Sequence, residues 1–519
     1  MAGPAAAVWP HLTAPRTTTV RRYRVAVPDR PVTDDRPPLP PVAWRPALLA
    51  AGTLLAVLLA TSARYGPHRD ELYFLAAGNR LDWGYADQPP LTPLIARLAD
   101  AVAPGSLVAL HVPAALMMTG LVVLSALLAR ELGGGRAAQV LTVLTVGTGA
   151  AVVGLGHWLS TATADTLAWV AVTLLAARAL RRDDARWWVV AGGVAGVGLL
   201  NKHLVAFLVA ALAVGVLLSP AVRHHARSAW TWAGVLLAAA LWAPNLVWQA
   251  RHGWPQLELA ADIRDEFLTL GERAGFVVLL LVIISPVATV LWVRGWRRLA
   301  RAPELAWARP FAWAFAILTV GFFVTGGKAY YLVGLLPVLV AAGAVDAVRA
   351  WEPARVRRGR WVLAGAGIVS WPLVLPVLPA AVYAASPLPA VDDMQAETLG
   401  WPELVGTVNR AVDDAGAQLV VTANYGEAGA LEWYGTPVPV FSGHNGYGEW
   451  GPPDDALTGP FVLVGYGESP DWAAGCRTVA RIDNGLGLAN EEQAGPVRVC
   501  TGTTAPWSVV WERVEHLSA

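Results

Sequence analysis

Charge is scarce in this sequence. Only 15% of its 519 residues are charged while 55% are hydrophobic, which excludes packing as ordinary soluble domains. The net charge of +1 supplies no global field for a polyanion, so no nucleic-acid partner is expected. Lysine is nearly missing: of 39 basic residues only Lys202 and Lys328 are not arginine. Cysteine is limited to Cys476 and Cys500, both in a region expected to lie outside the cytoplasm, where an oxidising compartment permits a disulfide; the sequence leaves paired and unpaired forms open. The first 45 residues, Pro-rich and carrying Arg21, Arg22 and Arg24, lack the basic start, apolar centre and small-residue cleavage site of a signal peptide, and read as a disordered cytoplasmic tail.

What is present instead is a series of long apolar runs, near 46–63, 107–129, 137–156, 161–178, 187–200, 203–218, 230–248, 274–293, 310–325, 331–348 and 361–384. A helix needs about 18 or more such residues to cross the hydrocarbon core. The run at 187–200 is short enough to form a hairpin with its neighbour. The expected fold is a polytopic α-helical membrane protein with about eleven spans over 46–385 and a small extracytoplasmic α/β domain over 386–519. Arginines gather in alternate loops, around Arg130/Arg136, Arg178–Arg186, Arg223/Arg227, Arg294–Arg309 and Arg349–Arg360. Because retained loops are rich in Lys and Arg, this places the N-terminus inside and the region after about 385 outside a cell membrane. That last region changes character, with turn-forming residues and short β-type runs at Gln418–Thr422, Val438–Phe441 and Phe461–Gly465.

The external loop 64–106 carries the densest chemistry. After Pro67, the spacing of Leu72, Leu75 and Ala76 predicts a short amphipathic helix on the membrane surface, with Asp70 and Glu71 in its first turn. Capping alone explains adjacent acids at such a place. Asp87-Gln88-Pro89-Pro90, however, sets a third carboxylate at a rigid turn, and with His68 and Arg69 the loop can form an acid/base or metal centre. Lys202 and Lys328 both fall at the external boundary, where a compact ammonium suits a phosphate; interfacial snorkelling is the competing reading. Asp165 lies near the external end of a span, where an ionisable group is expensive unless it faces a cavity or partner. In PNLVWQARHGWPQ, interfacial Trp is usually an anchor, which leaves Gln249 and His252 as site candidates. Trp83 and Trp433 are candidates to stack on sugar.

These residues resemble a family. HRDELYFLAAGNRLDWGYADQPPL, then many spans, NKH, GGKAYYLVGLLPVL and an external C-terminal domain, is similar to the C-type glycosyltransferases that use lipid-linked sugars. Nearest in pattern are the protein O-mannosyltransferase-like proteins of glycosyltransferase family 39 and the lipid A aminoarabinose-transferase-like proteins, in their actinobacterial form. The resemblance covers roughly 46–385. It implies transfer of a sugar, with inversion, from a polyprenyl-phosphate donor to a protein, lipid or glycan acceptor outside the cytoplasm. By position, Asp70 matches the loop acid implicated in catalysis, Asp87 the second acid, which in some relatives helps to hold a divalent metal, and Asp165 a further carboxylate at the cavity. Gln88 stands where the aminoarabinose transferases carry a basic residue.

The chemistry agrees. A glycosyl phosphate already has a good leaving group, so a base for the acceptor and cations for the departing phosphate suffice, whereas a hydrolase needs a general acid. The expected roles are Asp70 as general base, supported by Glu71 or Asp165, and Lys202, Lys328 and Arg69 as phosphate ligands, with Tyr330 of the GGKAYY segment also at the site. A secondary transporter would share the spans and Asp165 but more often shows inverted repeats, and none is found. A non-catalytic envelope-binding scaffold is the other rival.

Overall fold

The structure is a computed structural model that describes residues 1, 3 and 38–518; most of the N-terminal tail expected at 1–45 lies outside the described residues. Leu39–Ala519 form one compact unit. Among the described residues six helices are long and apolar enough to cross a membrane: Trp44–Thr61, Leu107–Glu131, Thr161–Arg182, Ala229–Arg251, Pro303–Thr325 and Ala329–Ala350. A bent pair, Arg136–Gly147 with Ala150–His157, adds a seventh, and the apolar helices Trp187–Leu199 and Leu204–Leu217 are shorter. This is a mostly helical, multi-pass membrane protein.

Packing sorts the spans. Most residues of Thr161–Arg182 and Ala329–Ala350 are buried within the protein, whereas only 11% of the apolar window of Ala229–Arg251 is, so the first two are central and the last is peripheral. Thr289–Arg301 crosses the inner helix Leu336–Ala350 at two glycines. A Cβ on Gly295 would collide with the Leu339 carbonyl and one on Gly343 with that of Leu291, so both positions require glycine. Small residues let helix backbones approach where lipid offers no hydrophobic drive to associate.

Proline interrupts two of the apolar runs. The run 274–293 divides into Leu270–Val282 and Thr289–Arg301 around Pro286, with Ser285 Oγ accepting from Ala288 N at 3.2 Å. The run 361–384, containing Pro372, Pro376 and Pro379, becomes Pro353–Val369, Trp371–Val374 and Ala380–Ala384. The first break serves a second helix. Arg136–Gly147 and Ala150–His157 bend by 56°, and the amides freed at the bend, Ala150 N and Ala151 N, donate at 3.0 Å to the carbonyls of Ile284 and Ile283.

The C-terminal region is an α/β unit, as its short β-type runs predict. Its five-stranded sheet has the order β2-β1-β3-β6-β5, with β1 Val420–Thr422, β2 Val440–Ser442, β3 Phe461–Val464, β5 Arg477–Arg481 and β6 Pro496–Cys500. β1 pairs in parallel with β2 and β3, and β6 runs antiparallel to β3 and β5. A two-residue ribbon joins β4 Ala473–Ala474 to β7 Gly502–Thr503. Helices Trp401–Ala415 and Tyr425–Tyr434 bury Leu404, Val408 and Leu431 with Val420, Val462 and Val497 of the sheet. Cys476 and Cys500 form a disulfide.

The loop between the first two long spans docks directly on this unit. Trp401 Nε1 donates to the Pro67 carbonyl at 3.0 Å and Gly66 N to that of Thr398 at 3.0 Å. Gly429 lies against Leu72, and Arg80 forks onto Glu432 at 2.8 and 3.3 Å. The helix expected at Asp70–Arg80 is present as Arg69–Asn79, but Leu72 through Gly78 are all buried. It is enclosed between Leu91–Val102 and Tyr425–Tyr434 rather than presenting one polar face, because the C-terminal region covers the side the pattern leaves open.

Candidate active site

The loop helix opens with a reciprocal cap. His68 Nδ1 accepts from Asp70 N at 3.2 Å, and Glu71 Oε2 accepts from His68 N at 3.0 Å. Glu71 is fully buried and also accepts from Leu159 N at 2.7 Å, with His111 Nε2 3.1 Å away. Burial alone would raise its carboxyl; His111 and the two backbone amides outweigh it and hold Glu71 below its ordinary range. Its bonds are those of a structural cap. Asp70 differs: its side chain is 34% exposed, Oδ1 accepts from the Tyr425 hydroxyl at 2.9 Å, and Oδ2 lies 3.8 Å from His68 Nδ1. One carboxylate oxygen is therefore anchored and the other is left beside His68, with access from outside.

Asp87 sits at the Pro-Pro turn and accepts from the Tyr73 hydroxyl at 2.7 Å, whose oxygen in turn accepts from Gly446 N at 3.1 Å. Burial, reinforced by neighbouring Asp70, pushes Asp87 up to about 7 despite the tyrosine bond. Among the described residues Asp87 belongs to no group of three His, Cys, Asp or Glu ligands. Gln88 is 3% exposed, and neither atom of its amide has a hydrogen-bond partner among the described residues.

The lysines come to the same region. Lys202 Nζ lies 5.4 and 5.3 Å from the ring centres of Tyr330 and Tyr331 and interacts electrostatically with Asp165, which is 4% exposed and accepts from Trp169 Nε1 at 3.1 Å. Lys328 Nζ lies 4.4 Å over Phe267, close enough to feel Lys202 and Asp70, and Tyr330 is within the field of Asp70 and Asp165. Lys328 lines a cavity of about 340 Å³ together with Phe267, Phe276, Phe322, Glu272, Arg273 and Tyr330. Asp70, Asp165, Lys202, Lys328 and Tyr330 thus form one charged neighbourhood, with Asp87 adjoining Asp70.

Other candidates point elsewhere. Arg69 contacts Glu491 of the C-terminal region and lies 4.9 Å over Tyr425. Gln249 Nε2 donates to the Tyr85 carbonyl at 3.2 Å, and His252 stacks on Trp248 at 3.9 Å with Nδ1 2.8 Å from that residue's carbonyl. Together with Asn245, which donates to the Trp83 carbonyl at 2.9 Å, and Trp248, which donates to Asp82 at 2.8 Å, they pin the turn that carries Asp87. Tyr425 and Tyr73 are the residues that sequence reading missed.

Fold and site define a class: a multi-pass membrane protein whose first large loop sets accessible and buried acids over two lysines at the ends of spans. Within it, residues 87–248 match the family described as dolichyl-phosphate-mannose-protein mannosyltransferase. The fold is similar to that of ArnT from Cupriavidus metallidurans bound to undecaprenyl phosphate, at 16% identity and a TM-score of 0.58, covering 88% of this chain and 98% of that one. The apo state of ArnT matches at 15% identity and the same TM-score, covering 88% and 97%. The arabinofuranosyltransferase AftD from Mycobacteria matches at 14% identity and a TM-score of 0.53, covering 90% of this chain and 40% of that one. No curated protein matches the chain. The resemblance to membrane glycosyltransferases read from the motifs is borne out.

Proposed function

We propose that this chain is a glycosyltransferase that moves a sugar from a polyprenyl-phosphate donor to an extracytoplasmic acceptor with inversion. The observation that carries the reading is an accessible, hydrogen-bonded Asp70 whose field reaches Lys328, itself within the field of Lys202 and lining a largely aromatic cavity. ArnT, whose fold this chain shares, was solved with undecaprenyl phosphate bound. The family matching residues 87–248 is described by its use of dolichyl-phosphate mannose.

The reaction needs one proton transfer. The acceptor hydroxyl gives its proton to the free oxygen of Asp70 as its own oxygen attacks the anomeric carbon from the face opposite the phosphate. The sugar–phosphate bond breaks, its electron pair leaves with the lipid phosphate, and Lys202 and Lys328 take up the added negative charge. The aromatic cavity under Lys328 receives the first part of the lipid chain. Tyr425 holds Asp70, and Tyr73 holds Asp87, against the soluble unit. Asp165 keeps Lys202 in place. In this reading 1–45 is a cytoplasmic tail, 46–385 the catalytic membrane domain with about eleven crossings, and 386–519 an extracytoplasmic domain that contributes to acceptor choice. No step is routed through a metal at Asp87, whose nearest ligand is a tyrosine hydroxyl.

The test is transfer from a synthetic polyprenyl-phosphate sugar by purified protein. Asp70→Asn should lower turnover by about 10²- to 10⁴-fold, the usual contribution of a positioned base, with donor binding retained. Turnover equal to wild type would remove Asp70 from the mechanism.

A further inference from the structure

Where the loop meets the soluble unit, three glutamates face one another. Glu397 lies in the turn Ala396–Thr398 that leads into the unit, and Glu491 and Glu492 lie just before β6; one carboxylate oxygen from each is within 4.8 Å of the others. Glu491 is partnered, contacting the Arg69 guanidinium and accepting from Asn424 Nδ2 at 3.3 Å. Glu397 Oε1 accepts from the backbone N–H of Glu491 at 3.3 Å. Among the described residues no donor reaches Glu397 Oε2 or either oxygen of Glu492, and these two facing carboxyls can hydrogen-bond to each other only if one carries a proton. Glu492 is only 5% exposed, so bulk water does not solvate it.

The charge does not balance. Three carboxylates face one guanidinium, and Glu427 and Asp393 add to the negative field. Burial, then repulsion from Glu397 and Glu427, raises Glu492, and burial raises Glu397 against the attraction of Arg69. Buried charges in folded proteins are paired or bound to metal.

We infer that Glu397, Glu491 and Glu492 bind one hard divalent cation, of the Ca²⁺ or Mg²⁺ kind, at the joint between the soluble unit and the loop bearing Asp70. An all-oxygen carboxylate set selects such ions over those that prefer thiolate or imidazole. The site is separate from Asp87, where the sequence placed a metal. A chain of contacts links it to the reacting centre. Glu491 contacts Arg69, Arg69 covers Tyr425, and Tyr425 holds Asp70, so the cation steadies the group next to the base.

The experiment uses full-length protein in nanodiscs, stripped with chelator and titrated separately with Ca²⁺, Mg²⁺ and Mn²⁺, with binding followed by calorimetry and melting by intrinsic fluorescence. Wild type should bind one cation per chain and gain several degrees in Tm. Glu492→Gln and the double variant E397Q/E492Q, which relieve buried charge and so should still fold, should lose both responses, while Asp87→Asn keeps them. No binding and no melting response in wild type would overturn the inference, as would a response that survives in the double variant. A glutamine variant that melts above wild type, with no cation response in either protein, assigns a proton shared between Glu397 and Glu492 and also overturns it. Because neither readout is sugar transfer, failure here leaves the proposed reaction untouched.

Discussion

Replacing Asp87 by Asn should make the protein more stable in alkaline buffer and leave it unchanged in acid. Asp87 has a carboxyl pushed from 3.8 up to about 7, chiefly by burial. In the unfolded chain the group ionises near its ordinary value, so between these two pH values the native state holds a proton that the unfolded state has released. A raised carboxyl therefore costs nothing below about pH 4, and its penalty grows as pH rises, reaching its full size above about 7. A shift of roughly three units at 1.36 kcal/mol each sets that penalty at about 4 kcal/mol. Asn copies the protonated acid: its Oδ1 can still accept from the Tyr73 hydroxyl, which lies 2.7 Å away in the wild type. Melting curves of wild type and D87N in nanodiscs should coincide near pH 4 and separate progressively, with the variant ahead, up to about pH 8. Glu427, Glu449 and Glu492 are also raised, but they are present in both proteins and largely cancel in the difference. A gap between the two proteins that is constant with pH would refute the reasoning.

Three further outcomes are expected. Lys202→Met and Lys328→Met should each weaken binding of a polyprenyl-phosphate probe more than acceptor binding, by about tenfold or more for the loss of one charge-assisted contact; unchanged donor affinity in both variants would exclude them as phosphate ligands. Tyr425→Phe removes a bond to a charged group worth about 1.5–3 kcal/mol, so transfer should fall by about ten- to a hundredfold with donor affinity intact, read as kcat against donor Kd. Gly343→Leu should lower Tm sharply, because even the first carbon of a side chain collides with the Leu291 carbonyl, and an unchanged melting point would contradict the close helix crossing.

Much of the site was legible because its signals are local. Asp70, Asp87 and the turn prolines sit in one stretch of chain, and the two lysines stand out against 37 arginines by composition alone. The roles within the loop were harder to separate. Asp70 and Glu71 are neighbours of equal chemistry, and only the backbone amides of His68 and Leu159 reveal that Glu71 is the cap. Tyr425 reaches Asp70 across 355 residues of sequence, and such a contact leaves no periodic trace. The disulfide was undecided for the same reason, since two cysteines 24 residues apart pair only if the sheet brings them together. In the membrane part, composition found the apolar runs, but Pro286 and the prolines after 370 divide two of them in ways that hydropathy averages away.

The bend after Gly147 and the interruption at Pro286 complete one another. Ile283 and Ile284, whose carbonyls a continuous helix would have occupied, lend them to Ala150 and Ala151, whose amides a straight helix would have used itself. Neither irregularity could be repaired singly. Straightening one would strand two polar groups of the other in hydrocarbon, at several kcal/mol apiece, so the pair behaves as a single interlocking joint and its halves can be altered only together.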